Sequence, residues 1–189
     1  MVTVQGDLVI ARNAALDAHF DAAILTIQGN VHVGKNAAFV LGCLESGCDT
    51  TNNRVDGNVV ATGALALIFH HNTIGGNISM HQGGGGVSCA PTNLFPFGVF
   101  SDFEDNLIGG NLVVTQLHSC WLGIIRDSVR GNVVLVHSVM ADGDANEVTT
   151  NVIGGNLACF QNTPNAQFGD AAPIPNVVSG NKLGECAKL

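Results

Sequence analysis

A single five-residue pattern recurs along the whole chain and constrains its fold more than any other feature. The copies are VQGDL (4–8), IQGNV (27–31), VDGNV (55–59), IGGNI (74–78), IGGNL (108–112), VRGNV (129–133), IGGNL (153–157) and VSGNK (178–182). Two residues before each Gly stands a β-branched residue: Val4, Ile27, Val55, Ile74, Ile108, Val129, Ile153 and Val178. Two after it stand Leu8, Val31, Val59, Ile78, Leu112, Val133, Leu157 and, at the last copy, Lys182. Spacing by two is the strand period, with these positions on one inward face. Hairpins need no identical motif at a repeating interval, whereas a solenoid stacks equivalent residues about 4.8 Å apart in parallel.

The residue after each Gly extends the argument. It is Asp7, then Asn30, Asn58, Asn77, Asn111, Asn132, Asn156 and Asn181. Stacked Asn amides can hydrogen-bond along a column, whereas stacked carboxylates repel, so the lone Asp fits the first position of such a ladder. Hairpin turns favour the reverse order, Asn-Gly, which weighs against eight independent turns. A second strand is visible in the early copies: RNAALDA (12–18) aligns with KNAAFVL (35–41), and GALALIF (63–69) is a looser third copy. The mean interval is about 25 residues, longer than that of left-handed hexapeptide helices. The expected fold is therefore all-β: one right-handed parallel β-helix of about eight coils spanning 1–189. Its irregular intervals are extruded loops at 42–53, 81–106, 141–151 and 160–176.

Composition agrees with thin stacked strands. The chain is 46% hydrophobic but only 5% aromatic, with 24 Gly, no Tyr and one Trp. A net charge of −8 disfavours a nucleic-acid partner and an anionic membrane surface. No apolar run is long enough for membrane insertion. The chain opens directly on the strand-like VTVQGDLVI, without a leader peptide, as a mature boundary would. Six cysteines, mostly in or beside the predicted loops, favour disulfides and an oxidising compartment over buried thiols.

Three segments resemble a known family: NTIGGNISM (72–80), NVIGGNLACFQNTP (151–164) and PNVVSGNKLGEC (175–186). They are similar to exported actinobacterial right-handed β-helix proteins of uncharacterised function, which carry tandem V-x-G-N-V coils and a Cys-containing closing segment. The resemblance implies a secreted or cell-surface location and a disulfide between Cys159 and Cys186. With it, the expected set is Cys43–Cys48, Cys89–Cys120 and Cys159–Cys186, one of the fifteen pairings that six cysteines allow. The Phe-rich stretch 94–103 departs from the family pattern.

Candidate chemistry is sparse. Asp56, Arg130 and Ser179 share the position before Gly on different coils; with Arg126 and Asp127 they read as a solvated charged face. Asp142, Asp144, Asn146 and Glu147 alternate like the start of a calcium loop but lack its later Gly and Glu. His118 and His137, 19 residues apart, fall near one another if they lie on neighbouring coils. The glycine run in QGGGGVSCAP (82–91) lacks the Lys and helix of a phosphate loop. Phe95, Phe97, Phe100 and Phe103 are expected either to cover an apolar sheet face, for which the outer stripe with Val9, Val60, Val113 and Val134 is the candidate, or to form an exposed contact patch. The sequence thus names no catalytic residue, cofactor or metal ligand and leans away from an enzyme. It supports a structural or adhesion-type scaffold, with carbohydrate binding or polysaccharide degradation and filament assembly as alternatives. The partners in view are a second copy, met through the N-terminal coil, and a glycan or cell-surface molecule. Lys182, in place of an aliphatic residue, reads as a stop signal at the open C-terminal end.

Overall fold

The computed structural model describes residues 1–19, 24–43, 52–170 and 173–189. The chain is a right-handed parallel β-helix of about seven turns, with every strand pairing parallel. Three sheets run along it. The first has eight strands, from Val2–Val4 to Val177–Val178, each ending on the β-branched residue before the Gly step. The second has eight strands, from Leu8–Ile10 to Lys182–Gly184, each starting two residues after that Gly. The third has six: Ala15–Ala18, Ala38–Leu41, Ala66–His70, Phe100–Glu104, Trp121–Ile125 and Glu147–Thr149. The small pair His118–Ser119 and Val139–Met140 adds a short fourth sheet.

The inward columns follow the sequence pattern. Ile27, Val55, Ile74, Ile108, Val129 and Ile153 are buried from the first sheet. Val31, Val59, Ile78, Leu112, Val133 and Leu157 are buried from the second. Only the end members Val4, Leu8, Val178 and Lys182 are partly buried. The aligned copies of the third sheet stack as the sequence aligns them, with Ala15 on Ala38 and Ala38 on Ala66. Phe39, Phe69 and Phe103 form an inner aromatic stack, with ring centroids 5.2 and 6.0 Å apart.

Gly is required at the step because backbone lies directly on backbone there. A Cβ at Gly110 would sit 2.5 Å from Asn77 Oδ1 and one at Gly57 would sit 2.6 Å from the Gly29 carbonyl oxygen. The outer ladder runs beside this column. Asn30 Nδ2 donates to Asp7 Oδ1, Asn58 to Asn30, Asn77 to Asn58, Asn111 to Asn77, Asn132 to Asn111, Asn156 to Asn132 and Asn181 to Asn156, at 2.9–3.4 Å. Each Oδ1 also accepts the backbone N–H of the residue that stacks on it, as Asn111 Oδ1 does from Asn132 at 2.8 Å. At the first step the Asn30 backbone N–H, donating at 2.6 Å, holds the exposed Asp7 carboxyl below its ordinary pKa.

A second, inner ladder accompanies it, with no counterpart in the sequence reading. Four residues before Gly stand Asn53, Asn72, Asn106, Asp127, Asn151 and Asn176, all buried. Asn72 Nδ2 donates to Asn106 Oδ1 at 3.1 Å and to the Leu41 carbonyl at 2.9 Å; Asn106 repeats this to Asp127 and Phe69, and Asn151 to Asn176 and Ile124. Each amide thus fastens a tight corner to the neighbouring coil and satisfies a buried carbonyl.

Several loop expectations are revised. Within 81–106, residues Phe100–Glu104 form a strand of the third sheet, and Phe103 is core. Within 141–151, Glu147–Thr149 is another such strand. Both were hidden because polar outward residues interrupt the apolar pattern. Asp127 does not belong to a solvated charged face: it is fully buried in the inner ladder. The far end is closed by the turn Glu185–Lys188, which buries Cys186 and Leu189 against the last coil, beyond the partly buried Lys182.

Candidate functional site

The disulfides frame the site region. Cys89 is bonded to Cys120, and Cys159 to Cys186. The expected Cys43–Cys48 pair falls outside the described residues at Cys48. The Cys89–Cys120 bond ties the extruded segment to the strand edge at Cys120. There the Val99 carbonyl accepts the Cys120 N–H at 2.9 Å and the Ser119 hydroxyl at 2.7 Å.

This clamp directs the Phe-rich segment over the outer face of the third sheet. Val9 is exposed, Val60 is 39% exposed and Val113 and Val134 are half-buried; the Phe-rich segment packs on the third sheet and not on this stripe, contrary to expectation. The covered surface is instead a small second core: Ala38, Ala66 and Ile68 of the sheet pack with Phe95 and Val99 of the segment. Phe95 meets Phe100 edge-on at 5.9 Å, and Phe100 meets Trp121 at 6.4 Å. On the third sheet the small outward residues Ala15, Ala38 and Ala66 stack on one another and leave room for rings.

Strand register then sets the chemistry. Asp17 stacks on Val40, Val40 on Ile68, Ile68 on Asp102, Asp102 on Gly123 and Gly123 on Glu147. The next outward column sets His70 on Glu104. A groove of about 390 Å³ lies between this face and the 94–97 segment. Ala38, Val40 and Ile68 form its floor, and Leu94, Phe95 and Phe97 its roof. Asp17, His19, His70 and Asp102 supply its polar groups. Phe97, 86% exposed, stands at the lip. An apolar cleft with a few convergent polar groups is the usual form of a ligand site.

At the inner end lies a buried polar cluster. His70 Nε2 is 2.6 Å from Asp102 Oδ2 and 3.0 Å from Glu104 Oε2. His70 and Asp102 are 3% and 1% exposed. Burial opposes charging of His70, but the Asp102 hydrogen bond and the charges of Asp102, Glu104 and Asp105 outweigh it and raise its pKa. Arg126 bonds Glu104 Oε1 and holds Asp105 with Nε at 3.0 Å and Nη2 at 2.9 Å. The Asp105 hydrogen bond leads in raising the Arg126 pKa further. His71 Nε2 lies 3.5 Å from the same Asp105.

Comparison with protein-family models, with curated proteins and with solved structures finds no match. What is shown is the β-solenoid fold, and the site is read from its geometry.

A third acid lies on the same face. Burial pushes Glu147 up to about 7, with Asp170, Asp102 and Asp144 adding to the rise and the Trp121 hydrogen bond opposing it. Trp121 Nε1 donates to Glu147 Oε1 at 3.0 Å. Gly123 makes this possible: a Cβ there would lie 2.2 Å from the Trp121 ring and 2.7 Å from Asp102 Oδ1.

The other candidates separate. The 142–147 segment is closed by its own contacts, since Gln167 Nε2 donates to the Gly143 and Ala145 carbonyls and Asn146 donates to Pro164. Of its three acids, Asp142 accepts the Asp144 backbone N–H at 3.1 Å and Glu147 holds Trp121. His118 and His137 line one open groove with Gln82 and Gln116, and His137 bonds Gln161. Asp56 bonds Arg54. The sequence reading missed His70, Asp102 and Glu104. The available signal was the interval of 34 between Gly76 and Gly110. Applied to Ile68 and His70, it lands on Asp102 and Glu104.

Proposed function

We propose that this chain is a secreted or cell-surface β-helix scaffold that acts by binding rather than turnover, with the groove beneath residues 94–97 as its contact site. The groove itself carries the reading: a disulfide-clamped segment holds an apolar roof over a flat sheet and leaves polar groups at the floor. Two disulfides suit an oxidising compartment. Among the described residues, no helix is long and apolar enough to cross a membrane.

The acids favour binding over hydrolysis. Glycosidases need two carboxylates flanking an open path. Here Asp102 and Glu104 engage His70, Glu104 and Asp105 engage Arg126, and Glu147 engages Trp121. The ligand class that fits best is a glycan: Phe97 offers an exposed ring face, and Asp17, bonded to His19, adds a carboxylate to the same groove. The test is a glycan panel read with wild type and Phe97→Ala. Binding that is lost in the variant at unchanged melting temperature supports the reading. No glycan bound, or binding that Phe97→Ala leaves intact, overturns it.

A further inference from the structure

We propose that His70, Asp102 and Glu104 form a binding site for a divalent transition-metal ion of the Zn²⁺ or Mn²⁺ type, entered through the groove. The inference goes beyond the glycan reading and stands whatever occupies the groove.

The geometry carries it. One imidazole nitrogen faces two carboxylate oxygens at 2.6 and 3.0 Å, and all three donor atoms lie within 4.8 Å of one another. A single N–H satisfies one acceptor well, not two on different side chains. Two donors about 2.1 Å from one ion are about 3.0 Å apart at an octahedral angle and about 3.4 Å at a tetrahedral one, so the His70–Glu104 spacing of 3.0 Å matches a shared octahedral ion and Asp102, at 2.6 Å, moves outward to admit one. The cluster is an imidazole and two carboxylates on adjacent coils, all buried, and not a patch of exposed acids.

Its surroundings fit ligation. Glu104 presents Oε2 to His70 while Oε1 accepts from Arg126, and Arg126 is itself held by Asp105. A hydrogen bond to the far oxygen of a ligating carboxylate fixes its orientation, which is the usual outer support of a metal site. His70 and Asp102 both line the groove, which gives the ion an entry path. One nitrogen and two carboxylate donors suit zinc or manganese, whereas calcium and magnesium favour all-oxygen shells.

The test uses the full chain, stripped by chelator dialysis and titrated calorimetrically with ZnCl₂, MnCl₂, MgCl₂ and CaCl₂. One Zn²⁺ or Mn²⁺ per chain is expected, at least about tenfold tighter than Mg²⁺ or Ca²⁺. Asp102→Asn and Glu104→Gln should each weaken it at least about tenfold, while the loop variant Asp142→Asn leaves it unchanged. Because the first two sites are buried, a second measurement uses wild type alone: substoichiometric Mn²⁺ should broaden the His70 imidazole resonance before any other histidine. Absence of binding, retention of binding in folded Asp102→Asn and Glu104→Gln, or broadening confined to other histidines would overturn the proposal.

Discussion

Asp127→Asn should stabilise this protein at neutral pH, although it alters a fully buried residue. Asp127 occupies an inner-ladder position that Asn fills in the adjoining coils, at Asn106 and Asn151. Its Oδ1 accepts from the Asn106 side chain at 3.0 Å and from its backbone at 2.8 Å. Its Oδ2 is buried without a hydrogen-bond partner. Burial, reinforced by Asp102 and Asp105, raises its pKa well above the ordinary carboxylate value of 3.8 despite the Asn106 bonds. The folded carboxyl therefore holds a proton that the unfolded chain releases. Native protein binds more protons, so this group's contribution is intact below 3.8 and is lost as pH rises toward the folded value. Each pH unit in that window costs about 1.4 kcal/mol. An amide removes this term. Its Nδ2 would also reach the carbonyl of Phe103, which occupies in this coil the place that Phe69 and Ile124 occupy in the adjoining ones. Urea denaturation of both proteins from pH 4 to 8 measures the gap. A gap that widens with pH in favour of the variant is expected. A variant that is less stable, or a gap that does not change with pH, would refute the reasoning.

Other perturbations test separate parts. Asn111→Leu removes the acceptor of the Asn132 backbone and side chain and a donor to Asn77; a loss of about 1–3 kcal/mol is expected in chemical denaturation, and an unchanged melting temperature would contradict the ladder. Cys186→Ser opens the 27-residue span to Cys159 and should cost about 3 kcal/mol in the chain-entropy model, read as a lowered melting temperature under non-reducing conditions. Trp121 is the only tryptophan, so its fluorescence should titrate with a midpoint near the Glu147 value of about 7, and Glu147→Gln should abolish that titration. Val2 and Val9 of the first coil are exposed; if that edge mediates self-association, sedimentation at rising concentration should show a dimer that a Val2→Lys, Val9→Lys variant lacks.

The coils were legible in the sequence because backbone stacking forces Gly and amide ladders force Asn, leaving one motif at every step. The inner ladder was equally written, four residues before each Gly, but begins only at Asn53 and includes Asp127, which breaks a search for identity. The third sheet was legible where coils keep the same length, as from Ala15 to Ala38. It was obscured at Phe100–Glu104 because a long insertion precedes that strand and its outward residues are acids. Asp102 lies beneath the 94–97 roof and Glu104 is held by His70 and Arg126, and no local pattern announces a roof contributed by the same coil's loop. The site was therefore hidden by tertiary burial of polar residues and not by the absence of a register signal.

The account rests on one structural claim: the long coil keeps register, setting His70 against Glu104 and folding the Phe-rich segment over the third sheet. Nuclear Overhauser spectroscopy on protein with selectively labelled phenylalanines tests it most directly. The account predicts ring contacts in the order Phe39–Phe69–Phe103 inside the solenoid and a separate Phe95–Phe100 contact outside it. Absence of the Phe69–Phe103 contact, or contact of Phe95 with the inner stack, would contradict it.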